Sequence, residues 1–160
     1  MPTRTFLTYQ QALTVCFTEE VAGVTYFSAL ADRESGPARA ALALISRIET
    51  EIVTLIAPLM QRNGFSHPPL NDLYAEGRAD AAAAPDWPDL LRAMAEDYDA
   101  YMPEFQQTIA LAPPQDHPAL QRLMDHELAL IAYGRAERGG QADPMAALRD
   151  FLAGSAGHPG

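Results

Sequence analysis

The sequence predicts an all-α protein: a four-helix bundle with one long crossover between its second and third helices, followed by a short C-terminal helix. Three observations lead there. Four long segments repeat their apolar residues at helical period, and almost nothing alternates as a strand would. The breaks between them fall on clusters of proline, glycine and asparagine. The connections run short, long, short, which an up-down-up-down bundle would not need.

The first helix is expected over about 6–32, stopping before the turn ESGP. The second follows Pro37, a favourable first-turn residue, and ends at QRNG, where Asn63 and Gly64 suit a C-cap. The third is capped by Asp86 with Pro88 just inside, and runs to about Ala112. The fourth has Asp116 as N-cap and Pro118 in its first turn, and closes at Gly139-Gly140. A fifth, short helix over about 144–153 places Met145, Leu148 and Phe151 on one face, and a frayed tail follows over 154–160. Pro58 and Pro103 sit late in the second and third helices, and each is expected to kink its helix or tighten its end. The stretch FSHPPLNDLYAEGRADAAAAP separates the second helix from the third. It is long enough to span a bundle, about 37 Å for a 25-residue helix. The whole chain, 1–160, reads as one domain with the bundle over about 6–140.

Composition narrows the function. Of 160 residues 48% are hydrophobic, and mean hydropathy is -0.12, as in a folded globular chain. The formal net charge of -10 would repel a phosphate backbone, so neither nucleic acid nor anionic membrane is an expected partner. All 11 basic residues are arginine, which excludes Schiff-base chemistry and a P-loop lysine. The single cysteine, Cys16, excludes an intramolecular disulfide and a cysteine zinc cage, and reads as a small core hydrophobe. The N-terminus has no apolar leader-like run, and no stretch approaches the length of a spanning helix. A cytoplasmic protein is the expectation.

Helical period also shows which acids face inward. In the first helix Leu13, Phe17, Glu20, Val24, Phe27 and Ala31 form one stripe with Glu20 at its centre. In the second, Glu49 lies about 50° from the middle of the stripe Ala41, Ile45, Ile48, Ile52, Ile56, Leu59, and Glu51 about 110° away. In the fourth, Glu127 is central among Leu120, Leu123, Leu130 and Gly134, with His126 on the flank beside Tyr133. The third helix is apolar throughout with Tyr98 at its centre, and Asp97 is a flanking acid. Folding the first hairpin about Ser35 brings Glu20 level with Glu51 and within half a turn of Glu49. Three carboxylates from three helices then converge. Such a cluster needs a cation, raised pKa values, or hydrogen bonds from groups such as Tyr98 and His126.

The segments EEVAGVTYFSALA, RIETEIVTLI and DHELALIAYGRAERGG resemble the ferritin-like superfamily, including rubrerythrin-like and other di-iron carboxylate proteins. The resemblance covers about residues 6–140. It implies the ferritin-like bundle, a frequent homodimer, and two iron or manganese ions held by two lone glutamates and two Glu-x-x-His motifs. Glu20 matches a lone glutamate, and Glu49 and Glu127 match the motif glutamates. The chain departs from the pattern at the histidines: Ile52 and Leu130 stand there, Thr54 if the motif is read from Glu51, and Tyr98 or Asp97 replaces the third-helix glutamate. The expected metal candidates are therefore Glu20, Glu49, Glu127, His126 and Asp97, supported by Tyr98 and Glu51. The expected function is that of a ferritin-like protein of unknown activity with a metal-free or weakly metal-binding site. The alternative is a metal-dependent oxidoreductase or iron-handling protein.

Overall fold

The computed structural model describes residues 4–155, so residues 156–160 of the tail expected to fray lie outside it. All regular structure among the described residues is helical: α1 (Tyr9–Arg33), α2 (Gly36–Arg62), α3 (Leu70–Ala83), α4 (Trp87–Glu96), α5 (Met102–Leu111), α6 (His117–Arg138) and α7 (Ala146–Ser155). Two 3₁₀ turns, Tyr98–Tyr101 and Pro114–Asp116, precede α5 and α6.

Local chemistry sets the ends. Thr8 caps α1 by accepting from the Gln11 amide, and Asp86 caps α4 by accepting from the Asp89 amide. Gly64 (φ 68°) and Gly140 (φ 64°) occupy the left-handed conformation that ends α2 and α6. There the amides of Phe65 and Gln141 reach back to Met60 O and Ala136 O, both at 3.0 Å. Asp116 does not cap α6 as expected, because its side chain is turned into the protein. It is fully buried and accepts from Tyr9 Oη (2.8 Å), Asn63 Nδ2 (3.0 Å) and the Arg62 guanidinium.

Two expected elements differ. The crossover is not plain loop, since α3 occupies most of it and packs along α1. A side chain cannot fit at Gly77: a Cβ there would lie 2.0 Å from Ala22 O. The bare glycine thus lets the two helices touch, and Thr25 Oγ1 bonds Tyr74 O at 2.9 Å across the contact. The expected third helix is broken into α4 and α5. Pro103 has no amide to donate to Asp99 O, and its ring would crowd that carbonyl, so the chain tightens to 3₁₀ one turn earlier.

The core sits between the α1–α2 hairpin and α6, with Ile45, Ile48, Ile52, Ile56, Leu123 and Leu130 at most 1% exposed. α6 contacts α2, α4, α5 and α7, so it is covered on several sides. No helix among the described residues is long and apolar enough to cross a membrane.

Candidate metal centre

Three helices deliver the polar cluster. Glu20 comes from α1, Glu49 from α2, and His126 with Glu127 from α6, two turns after Pro118 opens that helix. Relative exposure is 5% for Glu20, 4% for Glu49 and 1% for His126, while the Glu127 side chain is 17% exposed. The imidazole is the hub. His126 Nε2 lies 3.3 Å from Glu20 Oε2, and 3.8 Å from both Glu49 Oε1 and Glu127 Oε1. One donor atom each from Glu20, His126 and Glu127 falls within a span of 4.8 Å.

Hydrogen bonding fixes what the imidazole presents. Its Nδ1 bonds the backbone carbonyl of Leu123, which can only accept, so Nδ1 carries the proton. In the neutral ring Nε2 then bears a lone pair, aimed at Glu20 Oε2. Two lone-pair atoms cannot face each other buried at 3.3 Å without a proton or a cation between them. Glu20 Oε2 and Glu127 Oε2 are also buried without a hydrogen-bond partner among the described residues. Burial, followed by the charge of Glu49, holds the Glu20 carboxyl well above its ordinary range. Burial likewise pushes Glu127 up to about 7, although His126 pulls the other way.

Glu49 is seated by its neighbour on α1. A Cβ at Gly23 would come within 3.1 Å of Glu49 Oε2, so the missing side chain leaves room for the carboxylate. Beside the cluster opens a cavity of about 550 Å³ between α1, α3, α6 and the 98–105 segment. Tyr98 lines it, and burial with the nearby Glu127 charge raises its pKa well above the ordinary phenol value.

The remaining candidates lie elsewhere. Asp97 is exposed and pairs with Arg92 at 3.3 Å, because the end of α4 at Glu96 turns it to solvent. Glu51 does not line the cavity; two residues beyond Glu49, it falls on another side of α2 and faces Arg47 at 3.8 Å. His126 is no mere flanking residue, since α7 closes over that side of α6 and sets Phe151 against the imidazole, ring centroids 6.4 Å apart. Sequence reasoning missed Glu104, a buried acid of α5 that also lines the cavity. It accepts from the Arg4 amide and Nε, each at 2.8 Å, while the same guanidinium holds Glu19. Its proximity to Pro103 was the available signal, because a first-turn acid is favoured where a proline restarts a helix.

No protein-family model, curated protein or solved structure matches the chain.

Proposed function

We propose that the chain is a ferritin-like helical protein in which Glu20, Glu49, Glu127 and His126 hold a divalent transition-metal ion that serves redox chemistry in the adjoining cavity. The observation that carries this is the 3.3 Å approach of His126 Nε2 to Glu20 Oε2, with the opposite ring nitrogen already committed to Leu123 O. A cation placed there would satisfy the imidazole lone pair and both unpartnered carboxylate oxygens together. Carboxylates with one imidazole suit iron or manganese.

When bound, such an ion supplies Lewis acidity or one-electron chemistry. The protein's own groups do the rest. The Leu123 carbonyl fixes the imidazole orientation, and the cavity beside the cluster gives a small molecule access to it. In the metal-free protein Glu127, pushed up to about 7, can take up or release a proton near neutral pH.

A second reading has its own support: the motif positions carry Ile52 and Leu130, both at most 1% exposed, so the cluster has one imidazole where the family pattern has two. In that reading the acids are held by protons and the scaffold is metal-free. Metal analysis after reconstitution separates them. About one equivalent of iron or manganese per chain, lost in Glu20→Ala and in His126→Ala, supports the metal site. Less than about 0.1 equivalent would sink it, and a Glu20→Ala protein of raised thermal stability would then favour the proton-held cluster.

A further inference from the structure

The cavity is much larger than an ion requires. A water molecule occupies about 30 Å³ of liquid, whereas the cavity measures about 550 Å³, within the range of small-molecule sites. Its walls divide into two kinds. One is aromatic: Tyr98 and Tyr101 stand edge to face, centroids 6.1 Å apart and planes at 79°, and Tyr26 of α1 adds a third ring. The other is acidic. Glu76 and Asp80, one turn apart on α3, form an exposed rim, held against α1 by the Gly77 contact.

Charge accounting sets the sign of the occupant. Among the described residues Arg4 is the one cationic side chain in the wall, and it is shared between two acids, Glu19 and Glu104. The deep cluster adds Glu20, Glu49 and Glu127. Even a divalent ion leaves those three carboxylates, when ionised, with an excess negative charge. The buried Glu20 oxygen without a hydrogen-bond partner also lines the cavity, apart from the rim. The balance of charge in the wall therefore disfavours an anion.

We propose that the cavity binds an organic cation, an aliphatic primary amine in its ammonium form, with its alkyl body against Tyr26, Tyr98 and Tyr101 and its ammonium group drawn by Glu76 and Asp80. The assignment deepens the function proposed above by naming the substrate class of the same site. The tyrosine rings pack against the alkyl body, and the carboxylates select the charge.

The test is calorimetric titration of the folded chain with hexylammonium, beside 1-hexanol and hexanoate, in metal-free and in manganese-supplemented protein. The expected result is saturable binding of one hexylammonium per chain, at least about tenfold tighter than hexanol, with none for hexanoate. The exposed rim variant Glu76→Gln/Asp80→Asn leaves the fold unchanged and weakens hexylammonium by about fivefold or more without affecting hexanol. Tyr101→Leu removes one ring of the wall while keeping an apolar side chain, and weakens it by about threefold. Absence of saturable binding in both preparations overturns the proposal, as do equal affinity for hexanoate and an indifferent rim variant. Amine binding in a protein that takes up no manganese would refute the metal reading and leave this one standing. Manganese uptake without amine binding would do the reverse.

Discussion

Replacing Glu127 by glutamine should stabilise the metal-free protein at pH 8 and leave it unchanged near pH 4. The carboxyl has an ordinary value of 4.5, and burial lifts it to about 7 in the fold. Between those values the native state binds a proton that the unfolded chain has released, so stability falls as pH rises. The contribution is fully present below pH 4.5 and lost as pH passes through 7. Each tenfold change in proton affinity is worth about 1.4 kcal/mol, which gives roughly 3 kcal/mol across the window. A side chain 17% exposed is partly screened, so about 2–3 kcal/mol is expected. Glu20, raised for the same reason, acts in the same direction.

For a chain of this size 1 kcal/mol moves the melting temperature by about 2–4 °C, so Glu127→Gln should melt roughly 4–12 °C above the parent at pH 8. The assay is thermal or urea unfolding from pH 4 to pH 8.5 with chelator present, repeated with saturating manganese. With metal the order should reverse, because glutamine is a poorer ligand than carboxylate and binding energy adds to folding energy. A chelated parent whose stability is flat or rising between pH 5 and pH 8, matched by the variant throughout, would refute the reasoning.

Three further outcomes follow from single contacts. Gly77→Ala should cost about 2–4 kcal/mol by unfolding, since its Cβ meets the Ala22 carbonyl at 2.0 Å and the backbones must separate. Asp116→Asn should cost about 2–4 kcal/mol, because its replacement offers one acceptor oxygen to three donors and removes a partner of Arg62. Its pH dependence should oppose that of Glu127: burial would raise the Asp116 pKa, but Tyr9, Arg62 and Asn63 together hold it below 3.8, so its stabilisation is lost as pH falls. Cys16, pushed up to about 12 by burial, holds roughly a thousandfold less thiolate at pH 8 than a thiol with the ordinary value of 9, and should react with a disulfide reagent at least about tenfold more slowly.

What the sequence made legible follows from how each feature is encoded. Helix ends rest on local chemistry, so Asn63-Gly64 and Gly139-Gly140 could be read directly, and both form the expected left-handed termini. Glu20 and Glu49 were legible because α1 and α2 each bury one main face, on which a carboxylate is conspicuous. The α3 helix was obscured by a proline pair and an alanine run that resemble linker. Its one close contact rests on the absent side chain of Gly77, and an absent side chain leaves no apolar signal. The break before α5 is written in Pro103, but whether a helix kinks or restarts depends on tertiary packing of Tyr98 and Phe105.

His126 exposes the limit of periodicity. A stripe identifies the buried side of a helix only when the helix has a single buried side. α6 is covered by α2, α4, α5 and α7, and residues as far apart around its axis as Leu130, Ile131, Tyr133 and Ala136 are all buried. On such a helix the position after Asp125 is as interior as the position after His126, and the flank is itself a core face. The imidazole therefore reaches the acids from the residue preceding Glu127, while the residue three after it, Leu130, packs in the hydrophobic core. Phe151 completes this arrangement by covering the ring from α7. An acid–imidazole cluster sought only by the interval between two letters would be passed over here, because its geometry belongs to the enclosure of α6.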